Sequence, residues 1–216
     1  MNLWGGGNRL QQLRAKQAVI ETLDHDWVIH QDADEILEHS DPSRSLRDAI
    51  TEADSQECNV VNFGEFCFLP EPDADYTGRD YVREMTRYYY FEPQPQRLNR
   101  AWKRGANLDN IEGFGHKCHG ASIRVAPEDH VLRHYIVLSQ EHAVRKYSGR
   151  VFDPDEVNIG AHFNRIGLTH DMLRLPRNGK YLQTIENDDR SRLSRIPCAT
   201  QHYWHWNEEE CQRACP

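Results

Sequence analysis

No stretch of this chain is apolar enough to cross a membrane: nothing approaches the ~18 consecutive residues that a span requires, and no signal-peptide pattern precedes the first helical segment. The expected compartment is therefore the cytoplasm. A basic excess is also missing. With 26 Lys and Arg against 34 Asp and Glu the formal net charge is −8, which argues against nucleic acid as a partner. Cysteine is sparse and unpatterned. Cys58, Cys67, Cys118, Cys198, Cys211 and Cys215 form no Cys-x-x-Cys pair and read as reduced thiols, with Cys211 and Cys215 as surface thiols one helical turn apart. There is no Ser/His/Asp pattern, P-loop or dinucleotide glycine fingerprint, and Gly5-Gly6-Gly7 lacks the lysine and preceding strand of a phosphate cradle. Internal repeats and low-complexity tracts are absent too. What remains is 216 residues, 38% hydrophobic and 28% charged, enough for one domain with a sizeable core or one domain with a tail.

Periodicity predicts a helix from Asn8 to Leu23, with Asn8 as cap and Leu10, Leu13, Ala18, Val19, Ile20 and Leu23 as its apolar residues. Trp27 to Gln31 reads as a short buried strand. Asp41-Pro42 predicts a second helix, Asp as cap and Pro in the first turn. Strands follow at Asn59–Phe68, Arg87–Phe91, Gln96–Trp102, Ala121–Val125 and Val131–Val137, with a loop around Pro70 to Gly78 and a long one from Gly105 to Gly120. Ser139 caps a helix through Tyr147, and Asp153-Pro154 starts another. Beyond Leu168 the pattern fades into short helices and loops.

The segment richest in chemistry is Asp26-Trp27-Val28-Ile29-His30-Gln31-Asp32-Ala33-Asp34-Glu35. An apolar strand delivers two aspartates to a sheet edge, where open α/β sheets place their ligands. On an extended chain Asp32 and Asp34 share one side, so both carboxylates can meet one hard divalent cation that keeps positions open for phosphates. Glu35 and Glu38 read as the start of the following turn. Asp73-Ala74-Asp75 repeats the spacing between prolines, with no strand behind it, and reads as surface loop.

Together with Gly5-Gly6-Gly7-Asn8-Arg9 and Gln11-Gln12-Leu13-Arg14-Ala15-Lys16-Gln17-Ala18, this segment resembles the middle of a family 2-type glycosyltransferase of GT-A fold, in the branch that carries Asp-Ala-Asp-Glu. Leu132-Arg133-His134-Tyr135, followed by the Lys-bearing helix Ser139 to Lys146, resembles the downstream part of that branch. The resemblance covers about Gly5 to Arg150. It implies an α/β, GT-A-like mixed sheet with flanking helices. The family normally places two strand-helix units before its DxD, and the first of them grips the nucleotide base. About thirty residues precede Asp32 here, enough for one helix and one strand, so those nucleotide-binding units are expected to be lacking. The expected organisation is a partial GT-A domain over residues 1–150 and a helical or irregular extension over 151–216 packed on it.

By this resemblance Asp32 and Asp34 hold Mn²⁺ or Mg²⁺, with His134 as a further ligand, and a histidine ligand favours manganese. His116, in Gly113-Phe114-Gly115-His116, is the rival for that place and is otherwise expected at the substrate. Arg97, Arg100, Lys103 and Arg104 flank Trp102, and Arg97 and Lys103 are the expected contacts to diphosphate or an anionic acceptor. Inverting transfer needs a carboxylate to take the acceptor's proton, and Asp109 and Glu112 in the glycine-rich loop are the candidates, with Glu128-Asp129 as alternative. His116-Lys117-Cys118-His119 lacks the second spaced pair of a structural zinc site, and His202 and His205 read as packing or surface aromatics.

The leading expectation is a metal-dependent glycosyltransferase moving a sugar from a nucleotide-diphosphate donor to a glycan, lipid or protein acceptor. A non-catalytic GT-A-like binding module is the second reading. A metal-dependent phosphoester hydrolase is the third, and it lacks a clear second set of ligands.

Overall fold

The segment Val60-Val61-Asn62-Phe63-Gly64-Glu65-Phe66-Cys67-Phe68-Leu69 is rich in β-branched and aromatic residues, and all ten of its residues are buried. Both faces must therefore be covered, which is the situation of a strand at the middle of a layered fold. A computed structural model describes residues 9–93, 98–158, 161–186 and 192–213 and places this strand at the centre. In chain order the principal elements are α1 (Arg9–Thr22), β1 (Trp27–Ile29), β2 (Glu35–Glu38), α2 (Leu46–Ser55), β3 (Val60–Leu69), α3 (Tyr81–Glu84), β4 (Arg87–Phe91), β5 (Asn99–Lys103), β6 (His130–His134), α4 (Gln140–Tyr147), α5 (Pro154–Asn158), β7 (Pro176–Gly179), β8 (Gln183–Thr184), β9 (Cys198–Ala199) and β10 (Cys211–Arg213).

Eight of the strands form one mixed α/β sheet, while β7 and β10 form a separate antiparallel pair. The first half of β3 pairs antiparallel with β5 and its second half with β4. Its other edge pairs in parallel with β6, from Phe63 opposite His130 to Cys67 opposite His134. β1 then adds to β5 and β2 to β6, both antiparallel. Consecutive strands β1 and β2 thus end the lateral path β1-β5-β3-β6-β2. Laid flat, that path is about 19 Å wide at ~4.8 Å per step. The chain from Ile29 to Glu35 reaches about 20–22 Å only when fully extended, and the turn at 32–35 shortens it well below that. The sheet therefore curls to bring its two ends together.

Side chains of β3 alternate between the two covered faces. Val61 and Phe63 pack with Leu37, Ala101 and Leu132, and farther along the same side Cys67 and Leu69 pack with Tyr89, Tyr147, Leu173, Tyr203 and Trp204. On the opposite side Val60 meets Val28 and Trp102, and Phe66 and Phe68 meet Tyr88, Tyr90 and Tyr135. Residues beyond 150 are integral to this core: β8 and β9 pair with β4, and Trp204 lies against the same cluster as Cys67. That region is irregular with short strands more than helical.

Several boundaries differ from the sequence reading. α2 is capped by Ser45, which forms a reciprocal capping box with Asp48, while Asp41 turns its carboxylate to the Ser43 amide at 2.9 Å in a turn of its own. Glu35–Glu38 is a strand, not a turn. Of 121–125 only Val125 bridges to β3. Ser139 caps α4 as expected. The cysteines among the described residues are free, and Cys211 is buried; Cys215 lies outside the described residues. Among the described residues, no helix is long and apolar enough to cross a membrane.

Trp204→Ala, at a side chain 1% exposed, should cost about 3–5 kcal/mol. Ser45→Ala should cost about 1 kcal/mol. In urea titrations followed by fluorescence and circular dichroism both variants should keep a single transition, because residues beyond 150 share the core. A second transition in Trp204→Ala would mark them as a separate unit.

Candidate functional site

Both aspartates lie in the link between β1 and β2, and that link is a tight turn: the Glu35 amide donates to the Asp32 carbonyl at 3.1 Å. The alternation of an extended chain stops here, so Asp32 and Asp34 do not share a strand face. The turn is pinned on each side. The His30 amide donates to the Arg100 carbonyl of β5 at 2.8 Å, and the Tyr135 amide beyond β6 donates to the Asp34 carbonyl at 2.8 Å.

Each carboxylate has its own set of neighbours. Around Asp32 stand Arg9 at 3.7 Å and Lys16 at 3.8 Å from α1, His30 at 3.5 Å and Arg100 at 3.8 Å. His30, with Arg100 and Arg9, holds the Asp32 carboxyl far below the usual carboxylate range against the upward push of burial. Asp34 Oδ2 accepts from Lys146 Nζ of α4 at 2.8 Å and faces His134 Nε2 at 3.5 Å. Burial alone would raise the Asp34 pKa, but His134 and Lys146 outweigh it and hold the group well below its usual range. Lys146 also donates to the Ile136 carbonyl at 2.7 Å, which fixes its reach from α4.

Beneath the turn lies a buried ion pair. Glu35 opens β2 pointing inward, and its carboxylate accepts from Arg100, a residue with no exposed side-chain surface. Arg100 also donates to the Gly115 carbonyl at 2.5 Å. Burial lifts the Glu35 pKa above its usual range despite Arg100. The 113–116 loop wraps over this region: Arg9 Nε donates to the Phe114 carbonyl at 2.9 Å, and Gly115 adopts φ +81°. A Cβ at Gly115 would lie 3.0 Å from His30 and 3.2 Å from Arg9, so position 115 needs glycine both for its backbone and for its close approach.

His134 is brought to Asp34, yet both of its ring nitrogens face carboxylates: Nε2 faces Asp34 and Nδ1 lies 2.5 Å from Glu65 Oε1 of β3. Burial opposes its charge, but Asp34, Cys67 and Glu65 raise its pKa well above the usual value. Among the described residues, the group of three whose ligand atoms lie within 4.8 Å of one another is Glu65, Cys67 and His134, not Asp32, Asp34 and His134. The charged side chains around the Asp32 carboxylate stand at 3.5–3.8 Å, whereas Lys146 lies 2.8 Å from Asp34, and both aspartate side chains are about one-third exposed (33% and 34%).

Other expected residues are placed elsewhere. Lys103 turns away from the turn and pairs with Asp54 of α2 at 2.5 Å; strand parity puts Arg100, three residues earlier, on the site side instead. Arg97 lies outside the described residues. The His116 backbone carbonyl accepts from the Asn99 amide at 2.9 Å, which seats it beside β5. The Asp109 carboxylate accepts from the Ile111 amide at 2.8 Å, and the side chain lines a surface groove of about 370 Å³ with Gln17, Glu21, Arg104 and Asn107. Glu112 is 79% exposed and pairs with His119 at 3.5 Å. Neither acid touches the Asp32–Asp34 turn. The loop reaches the turn through Asn110, whose side chain lies 2.7 Å from His30 Nδ1. Asp129 holds Asn62 and Arg195, and Glu128 accepts from Ser40.

Comparison of the chain with protein-family models, with curated proteins and with solved structures found no match. The functional case rests on the residues and their arrangement.

Arg9, Lys16, His30 and Glu65 were not among the sequence candidates for the site, and Arg100 was named only as one of a basic group of four. A signal for two of them was present: Arg9, Leu13 and Lys16 fall on one helical face, the face that meets Asp32 and the Gly115 loop. His30 follows the end of β1 and Glu65 sits inside β3, and neither carried such a signal.

Removing Glu35 as Glu35→Ala leaves the Arg100 charge buried and should cost about 3–5 kcal/mol, whereas Glu35→Leu combined with Arg100→Met should cost much less. A double-mutant cycle by chemical denaturation reads this coupling; equal costs would mean that the pair is not the support of the turn. For Asp32 and Asp34 the folded pKa lies below the unfolded value of about 3.9, so their stabilisation is present above that pH and is lost as the pH falls through the depressed values. Carboxyl NMR signals of Asp32 and Asp34 should stay flat from neutral pH to about pH 4 while exposed aspartates titrate. Titration of either near the usual value would overturn this electrostatic picture.

Proposed function

We propose that this chain is a GT-A-like glycosyltransferase domain that takes a sugar from a nucleotide-diphosphate donor to an acceptor, with inversion. One observation carries the reading. The Asp32-Ala33-Asp34 turn is met from separate elements by Arg9 and Lys16 of α1, Arg100 of β5 and Lys146 of α4. Two ionised carboxylates set among four positive charges form a place where a divalent cation and a diphosphate would both be balanced. Asp32 and Asp34 would hold Mn²⁺ or Mg²⁺, which would supply Lewis-acid neutralisation of charge on a departing diphosphate. Lys16, half exposed at 49%, and Arg9 extend over the turn to meet donor phosphates. Arg100 is fully buried and acts through Glu35 to hold the turn's shape. Lys146 orients Asp34.

The candidates for taking the acceptor's proton, Asp109 and Glu112, bond to the Ile111 amide and to His119 and have no bond to the turn. That observation favours the second reading, a GT-A-like module that binds the donor or a glycan without turning it over. The cytoplasmic location and the acceptor class remain part of the same proposal.

Calorimetric titration with nucleotide-sugars in the presence of Mn²⁺, on the native chain and on Asp34→Asn, tests it. The expected result is Mn²⁺-dependent binding that falls by more than about tenfold in the variant. Binding unchanged in Asp34→Asn, or unchanged on Mn²⁺ removal, would take the turn out of the mechanism. Measurable sugar transfer would overturn the module reading.

A further inference from the structure

The buried side of His134 belongs to a second group of donors. Glu65 and Cys67 are two apart on β3 and so point the same way, and His134 is the parallel neighbour of Cys67 on β6. Their ligand atoms lie within 4.8 Å of one another. Cys67 Sγ is 3.4 Å from Glu65 Oε1, and His134 Nδ1 is 2.5 Å from that same oxygen. Cys67 has no exposed surface, Glu65 is 7% exposed and the His134 side chain 12%, so little of the group meets solvent. From the geometry we propose that Glu65, Cys67 and His134 form a structural Zn²⁺ site, distinct from the Asp32–Asp34 turn.

The donor chemistry selects the metal. One thiolate, one imidazole nitrogen and one carboxylate oxygen suit Zn²⁺ and not Mg²⁺ or Ca²⁺, which take oxygen shells. With zinc bonds of about 2.3 Å to sulfur and 2.0–2.2 Å to nitrogen and oxygen, tetrahedral donors stand roughly 3.3–3.6 Å apart. The sulfur–oxygen separation already meets that, and the nitrogen–oxygen contact opens by under about 1 Å. The charge balances as well. Without metal the group holds a Glu65 carboxylate, a His134 imidazolium and a Cys67 thiol. When Zn²⁺ enters, the Nδ1 proton and the thiol proton leave, and the net charge of the group is zero in both states.

An outer shell is also in place. Asp34 faces the remaining His134 nitrogen, the arrangement in which a carboxylate orients a zinc-bound histidine. On the other side the Tyr89 hydroxyl bonds to Cys67 and lies 2.8 Å from His202 Nδ1, and His202 is stacked on Phe91. A water would complete the tetrahedron. No spacing rule finds this site in the sequence, because its ligands are joined by strand register and not by a short motif.

The test is metal analysis of the native chain, followed by Co²⁺ substitution. One equivalent of zinc should survive dialysis, and Co²⁺ should give a sulfur-to-cobalt charge-transfer band. X-ray absorption of the zinc form should show one sulfur near about 2.3 Å with nitrogen and oxygen near about 2.0 Å. Cys67→Ser should abolish the cobalt band, Cys198→Ser should leave it intact, and Asp34→Asn should weaken zinc about 10–100-fold. Absence of stoichiometric zinc and of the cobalt band in the native chain would overturn the proposal. A band that persists in Cys67→Ser, or a zinc shell without sulfur, would overturn it too. Should Cys67→Ser fail to fold, the native absorption spectrum still decides. Nucleotide-sugar binding is read separately, so the site can stand or fall apart from the transferase reading.

Discussion

The structure depends on a short covalent tie. Residues 30–34 join two strands that lie at opposite ends of the path β1-β5-β3-β6-β2, and the backbone bonds from His30 to Arg100 and from Tyr135 to Asp34 fasten the tie at both ends. The curl of the sheet, the inward direction of Glu35 and the meeting of α1, β5, β6 and α4 around one turn all follow from it. Because β3 is covered on both faces, the frame that holds this tie is the core itself and not a surface loop. The aspartates therefore sit on rigid backbone although their side chains remain partly open to water.

Charge is divided rather than pooled at the turn. Asp32 is matched by Arg9, Lys16 and Arg100, and Asp34 by Lys146 and His134. The buried Glu35–Arg100 pair lies between the turn and the core and fixes Arg100 where its second contact, to Gly115, locks the neighbouring loop. Such a pair gives little net stability against an apolar alternative of equal size, and its value here is in setting the position of the turn. His134 is the common member of two environments, one facing solvent through Asp34 and one facing the core through Glu65 and Cys67.

What could be read in the sequence was whatever repeats locally. The 3.6-residue pattern of Leu10 to Ile20, the β-rich run at 60–69 and the Ser139 cap marked elements that the structure has nearly as expected. The strand at Glu35–Glu38 was missed because its first and last residues are acids. Glu35 is neutralised by Arg100 and Glu38 by Arg133, partners 65 and 95 residues away. The cap of α2 was misplaced because Asp41 and Ser45 both satisfy a local rule, and the reciprocal bonds with Asp48 decide between them. At the site, Asp32, Asp34 and His134 were legible as a motif, whereas Arg100 was hidden in a basic run from which only strand parity selects it. Val19 at 58% exposure shows the limit from the other side: an apolar residue in a helix need not face the core.

The tie also constrains how such a chain can vary over generations. Substitutions within residues 30–34 change only side chains, but one inserted or deleted residue shifts β2 by one step against β6. Since strand faces alternate, that slip exchanges Glu35 and Leu37 with Ile36 and Glu38, turning two inward residues outward and taking the Arg100 partner with them. Descendants of this chain should thus drift freely in the identity of Ala33, while Gln31, which donates to the Glu35 carbonyl, and the length of the segment are kept, and insertions should accumulate instead in loops such as 70–80.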